Sequence, residues 1–235
     1  MDYFYCPQEH ISQSTVTIDG DEFAHLTHVM RKKAGDVIRV VNGIGTAYDV
    51  ELKEIAKKTA VGTIINTYTN HNEPEISLTV AVGMLKNPSK FDFLVEKITE
   101  LGVKEIIPLN TERTIPSHAK TDRWQKLAQA AMKQSGRSYL PIVRETKSLD
   151  EFLKSINCFD LKIIAHEKKE KESLNRITSL SGKSIVALIG PEGGFTDDEV
   201  NRCVDSGYQR LYLGERRLRT ETAAIVTASM ILTSS

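Results

Sequence analysis

A chain of 235 residues with 40% hydrophobic and 26% charged residues has enough apolar material for a packed soluble core, which excludes a disordered or fibrous protein. Its three cysteines, Cys6, Cys158 and Cys203, are odd in number and far apart, with no C-x-x-C pair, so neither a disulfide framework nor a zinc site is indicated and no metal is expected. Lys plus Arg equals Asp plus Glu at 31 each, so no global basic excess marks a nucleic-acid binder and only local clusters are informative. Met1–Pro7 has neither a basic segment nor a long apolar run, and no apolar stretch reaches the roughly 18 residues of a membrane span, so a reducing cytoplasm and no membrane are expected. The residues that follow read as short strands. Val37–Val41 leads through Asn42-Gly43-Ile44-Gly45 into Thr46–Leu52, a hairpin signal, and Ala60–Ile65 adds another strand. This small, β-rich, barrel-like region ends in the polar stretch Thr69–Pro74, which divides the chain into a first domain over residues 1–73 and a second over 74–235.

Beyond Pro74 strands and helices alternate. Ile76–Leu85 is a strand. Ser89 is expected to cap a helix with Phe91, Leu94, Val95, Ile98 and Leu101 on one face and Gly102 as its stop. Strand Lys104–Leu109 follows, then a helix from Asp122 to Ser135 stopped by Gly136. Ser148-x-x-Glu151 and Thr196-x-x-Glu199 are capping boxes for two further helices, the second stopping at Gly207. Strands Leu161–Ala165, Ser184–Ile189 and Arg210–Leu213 and a final helix Glu221–Leu232 complete an α/β domain with a mainly parallel sheet. Glu167–Lys171 reads as a solvated charged loop, and Trp124 and the Phe91 stripe as core.

Two stretches stand at the ends of strands, where open parallel sheets bind ligands. Leu188-Ile189-Gly190-Pro191-Glu192-Gly193-Gly194-Phe195 places three glycines in five residues, which lets backbone approach a ligand closely or simply turn tightly. Leu213-Gly214-Glu215-Arg216-Arg217-Leu218-Arg219-Thr220-Glu221-Thr222-Ala223 reads either as a basic ligand loop or as a helix approach with Glu221 near its N-terminus. Ordinary nucleotide motifs fail. Gly182-Lys183-Ser184 echoes a phosphate loop, but position 177 is Ile and the triplet precedes a strand; Gly190-x-x-Gly193-Gly194 does not match G-x-G-x-x-G.

Together the two stretches resemble the C-terminal signature of the SPOUT methyltransferases, and in detail the family that methylates N3 of a uridine in 16S ribosomal RNA. The resemblance extends to Phe91–Val103, Thr111-Glu112-Arg113-Thr114, Ala130–Arg137 and, near the start, His25–Asp36; Arg217 departs from it, standing where the family more often has an apolar residue. It implies a trefoil-knotted C-terminal domain, a small PUA-like RNA-binding domain before it, and a homodimer acting on 16S rRNA or the small ribosomal subunit. It also implies that S-adenosyl-L-methionine lies against Leu188, Ile189, Gly190, Pro191, Glu192, Gly193, Gly194, Leu213, Gly214, Leu218 and Arg219.

Methylating uridine N3 requires its proton to leave or the negative charge on the base to be stabilised. Arg219 and Arg113 are the candidates for charge stabilisation or phosphate anchoring, against the alternative of surface ion pairs. Glu192 and Glu221 are candidates to accept a proton or orient an arginine, and the base is left unassigned. For RNA contact the candidates are His28, Arg31, Lys32, Lys33, Arg113, Arg137 and Arg216, with Arg217 and Arg219 beside Arg216; Lys120, Arg123 and Lys133 would join Arg137 on a further face, and His118 is a weaker candidate. The rival readings are a SPOUT enzyme acting on a ribose 2′-hydroxyl or a tRNA base, a non-catalytic RNA-binding assembly factor, and a doubly wound nucleotide enzyme that the failed motifs disfavour.

Overall fold

The computed structural model describes residues 2–115, 119–155, 158–167 and 182–233, so Glu167 but not the rest of the charged loop, and not His118, falls within it. Two compact units emerge: Met1–Glu73 with Gln129–Leu140, and Pro74–Ala128 with Pro141–Ser235.

The first unit holds β1 (Tyr3–Tyr5), β2 (Thr15–Ile18), α1 (Gly20–Ala24), a π-helical turn His25–Val29, β3 (Val37–Val41), β4 (Thr46–Ile55) and β5 (Ala60–Thr69). Its sheet runs β1-β3-β4-β5-β2, with β1 and β3 parallel and the other pairs antiparallel. The β3–β4 hairpin forms where the turn residues predict it. Gly43 and Gly45 take φ of 77° and 101°, and Asn42 Oδ1 accepts from Ile44 N and Thr46 N at 3.0 Å each. Alternation along the strands turns Phe4, Val16, Ile38, Val40, Val50 and Leu52 into one core. Residues 129–140, which the sequence pattern leaves in the second domain, pack here. Met132 is fully buried with Val41 and Ala47, and the Glu73 carboxylate accepts from Arg137 Nη2 at 2.8 Å, Ser138 N at 2.9 Å and Tyr139 N at 2.8 Å. Helical periodicity reports which face of a helix is buried, not which core receives it.

The second unit holds β6 (Ser77–Gly83), α2 (Pro88–Leu101), β7 (Glu105–Asn110), the start of α3 (Thr121–Ser135), β8 (Ile142–Val143) and β9 (Lys147–Ser148). There follow α4 (Leu149–Ser155), β10 (Leu161–His166), β11 (Ser184–Ile189), α5 (Asp197–Asp205), β12 (Gln209–Tyr212) and α6 (Thr220–Leu232). The sheet is parallel throughout, in the order β12-β10-β11-β6-β7-β8, with β9 also on β7. One face, with Ala81, Ile107, Leu109, Ile164, Val186 and Leu188, packs on Leu149 and Phe152 of α4 and Val200 and Cys203 of α5. α6 packs against α2, β6 and β11. Trp124 and Phe91 are core residues, their ring centroids 4.2 Å apart.

The caps need one correction. Asn87, not Ser89, caps α2: its Oδ1 accepts from Ser89 N at 3.0 Å, and Pro88 occupies the first helical position, where its missing N–H costs nothing. Gly102 ends the helix at φ 113°. Both capping boxes form: Glu151 accepts from Ser148 N at 2.9 Å, and Thr196 Oγ1 accepts from Glu199 N at 3.2 Å while Glu199 Oε2 accepts from Thr196 N at 2.8 Å. No described helix is long and apolar enough to cross a membrane.

Candidate active site

A cleft of about 300 Å³ opens at the C-terminal edge of the parallel sheet. Three strand ends meet in it: β10 supplies Ala165, His166 and Glu167, β11 supplies Ile189 and the loop 190–195, and the segment after β12 supplies Leu213, Gly214 and residues 216–219. The start of α6 contributes Thr220 and Ala223, so the positive end of the helix dipole faces the cleft. Arg113 enters from the loop after β7.

The glycines permit this convergence. A Cβ on Gly83 would lie 2.5 Å from Pro191 Cδ, so the 190–194 loop rests directly on the end of β6. A Cβ on Gly190 would lie 3.1 Å from Gly194 Cα, and one on Gly193 would meet Arg113 Cβ at 3.0 Å. Gly194 has a different reason: φ is 68° and its Cβ would meet nothing within 4 Å, so the backbone, not crowding by a side chain, requires glycine there. Its N–H donates to Pro191 O at 2.8 Å, closing the turn.

Hydrogen bonds fix the surrounding loops. Arg113 Nη1 donates to Gly193 O at 2.9 Å and to Phe195 O at 3.3 Å. Buried Glu199, the capping-box carboxylate of α5, also accepts from Glu112 N at 2.9 Å, tying the β7 loop to the glycine loop. The Glu192 carboxylate accepts from Lys86 N at 3.1 Å. Arg113, Arg216, Arg217 and Arg219 face Glu167 and Glu192, an excess of positive charge in the cleft. Arg219 is exposed, and no carboxylate among the described residues pairs with it.

Most of the residues singled out from the sequence come together here: Ile189, Gly190, Pro191, Glu192, Gly193, Gly194, Leu213, Gly214, Leu218, Arg219, Arg113 and Arg216. Three do not. Leu188 is fully buried on the face of β11 that packs against α4 and α5, because alternate strand residues point to opposite faces. Glu221 points to α2, 3.8 Å from Lys90, and does not line the cleft. Arg137 is 2% exposed and paired with Glu73, so it offers nothing to a phosphate. The further basic face fails for the same reason: Lys133 pairs with Glu22 and Arg123 with Asp92. In the first unit His28, Arg31 and Lys33 are exposed, with Arg31 at φ 52°, while Lys32 pairs with Asp2 at 2.8 Å. Sequence reasoning missed Ala165, His166 and Glu167. Their signal was the end of β10, but only the strand order brings that end beside β11 and β12.

A glycine-lined, cationic cleft at the edge of a parallel sheet defines a ligand-binding α/β enzyme domain, and comparison with known proteins gives its class. Residues 72–232 match the model of an RNA methyltransferase domain and residues 18–65 that of an RNA methyltransferase PUA domain. The ribosomal RNA small subunit methyltransferase E of Bacillus subtilis is 33% identical over 230 residues, covering 92% of this chain and 89% of that protein. The enzyme of the same name from Synechocystis is 32% identical, over 95% of this chain and 74% of its own length. A crystal structure of this methyltransferase from Neisseria gonorrhoeae, bound to S-adenosyl methionine, superposes with a TM-score of 0.87 at 32% identity, covering 99% of this chain and 97% of that one. The chain belongs to the ribosomal RNA small subunit methyltransferase E family of RNA methyltransferases.

Proposed function

We propose that the cleft binds S-adenosyl-L-methionine and that the chain transfers its methyl group to N3 of a uridine in 16S rRNA. The observation that carries this is the meeting of the 190–194 loop, the 213–219 segment and Arg113 in one cleft. The residues suit the cofactor. Gly190 and Gly193 leave open the space that side chains would fill, Ile189, Leu213, Leu218 and Ala223 offer apolar surface to an adenosine, and backbone groups of the turns supply polar contacts. When bound, the cofactor supplies an electrophilic methyl group on a sulfonium. The chain's own part is to orient the base and stabilise the charge that develops as N3 loses its proton, and Arg219 is placed for that.

In this reading residues 1–73 form a PUA-like RNA-binding barrel and 74–235 a knotted SPOUT domain. Support for the barrel comes from the edge strands: the Cys6 thiol, just after β1, donates to Thr17 O of β2 at 3.2 Å. Support for the knot comes from α6, which follows edge strand β12 yet packs on β6 and β11 in the middle of the sheet. Exposed His28, Arg31 and Lys33 grip phosphates, with Arg216 doing so beside the cleft. Half-buried Ile225, Val226 and Met230 on α6 suit burial against a second copy. A ribosomal substrate would put the protein in the cytoplasm.

The test is transfer of labelled methyl groups from S-adenosyl-L-methionine to unmodified small ribosomal subunits, with the nucleosides resolved by mass spectrometry. 3-Methyluridine is expected. A methylated ribose or another base would move the activity to a different RNA site, and no transfer would leave an RNA-binding protein without this chemistry. Arg219→Ala should lower turnover by about 10²–10³-fold with an unchanged melting temperature; near-normal turnover would remove Arg219 from the site.

A further inference from the structure

Methylation at N3 leaves one proton unaccounted for, and the lining of the cleft restricts what can take it. The arginines are permanently protonated. Glu221 is turned to Lys90 on α2. The Glu192 carboxylate is engaged by the backbone N–H of Lys86, which stabilises its anion and weakens it as a base. Glu167 lies beyond the end of β10, exposed. His166 remains. It is the last residue of β10, half-buried, lines the cleft, and has its backbone fixed by the register pair with Tyr212 of β12. Imidazole is also the side chain whose charge ordinarily changes near neutral pH, which suits a group that must take a proton and then release it.

We propose, resting on the methyl-transfer reading above, that His166 is the proton acceptor for uridine N3. The N3–H bond breaks towards an imidazole nitrogen, and the electron pair left on N3 forms the new N–C bond. The methyl–sulfur bond breaks with its electrons remaining on sulfur, giving a neutral thioether, and the imidazolium returns its proton to water. The charged groups facing the same cleft are Glu167 from β10 itself, Arg113 from the β7 loop, Glu192 from the β11 loop and Arg216, Arg217 and Arg219 after β12. Their net positive charge favours an anionic base over a second cation, so it assists proton loss from uridine and release from the imidazolium alike.

The experiment compares wild type with His166→Asn and His166→Gln in single-turnover methyl transfer across pH 6 to 9. The substrates are small subunits containing ordinary uridine or 5-fluorouridine, whose N3 proton is more acidic through the inductive effect of fluorine. Affinity for S-adenosylhomocysteine is measured by calorimetry alongside. The variants should lose about 10²–10⁴-fold on uridine. They should recover most of that loss on 5-fluorouridine, replace the histidine limb of the pH profile by a steady rise with pH, and keep their affinity for the thioether. Near-wild-type rates on uridine, or an equal loss on both substrates, would overturn the assignment. So would a loss of ligand affinity that matches the loss of rate. A wild type that makes no 3-methyluridine would instead overturn the underlying reading, and the assignment with it.

Discussion

Glu199 offers the sharpest test of how the cleft is held. Its side chain is 1% exposed, accepts from Thr196 N at 2.8 Å within the α5 capping box, and accepts from Glu112 N at 2.9 Å across to the β7 loop. Hydrogen bonds to a charged group contribute about 1.5–3 kcal/mol each, so Glu199→Ala, which strands both N–H groups, should cost about 3–5 kcal/mol. Glu199→Gln keeps one accepting oxygen and should cost about 1.5–3 kcal/mol. Either is a large part of a typical stability of about 5–15 kcal/mol. Urea denaturation followed by circular dichroism should show the midpoint falling in that order while the m-value holds. The gentler variant should also bind S-adenosylmethionine more weakly, since the turn carrying Arg113 is no longer tied to the glycine loop. A Glu199→Ala protein within about 1 kcal/mol of wild type would refute the reasoning, because surface capping alone has that size.

Three further outcomes follow from the same geometry. Glu73→Ala leaves the Arg137 guanidinium buried without its carboxylate and should cost about 3–5 kcal/mol, with hydrogen exchange accelerating first in residues 129–140 of the unit it holds together. Gly194→Val meets no neighbour but forces a branched residue to φ 68°, at about 1–3 kcal/mol; calorimetry should show weakened binding of S-adenosylmethionine, and unchanged affinity would exclude this loop from the donor site. Burial pushes the Asp49 carboxyl up, but hydrogen bonds from Tyr68, Arg39 and Asn66 outweigh it and hold the group below the usual carboxylate range. Its stabilisation is therefore complete above the unfolded value of about 4 and is lost as pH falls through the folded one. Unfolding free energies measured below pH 5 should fall more gently in Asp49→Asn than in wild type, and parallel curves would contradict this.

Much of this was legible in the sequence because the signals are local. The capping boxes at Ser148 and Thr196, the glycine stops and the 37–52 hairpin each depend on a few adjacent residues, and each forms. The two signature stretches were legible as well, since glycine spacing at a strand end has few uses. The remainder depended on long-range geometry. His166 joins the site because β10 lies between β12 and β11, an order that no local pattern encodes. Arg137 reads as a surface cation until Glu73, 64 residues away, closes on it. Leu188 and Ile189 are equally apolar neighbours, and only the pleat decides that one faces the α4 and α5 core and the other the cleft. Glu221 illustrates the same ambiguity on a helix, where one turn of rotation separates the cleft from α2.

The central claim is that the cleft between the 190–194 loop and the 213–219 segment is where the methyl donor binds. A crystal structure of this chain with S-adenosylhomocysteine tests it most directly. The thioether ligand should lie against Gly190, Gly193, Leu213 and Leu218, with its sulfur open towards the space bounded by His166 and Arg219. Clear density for the ligand elsewhere on the molecule, or an empty cleft at saturating ligand, would contradict the account.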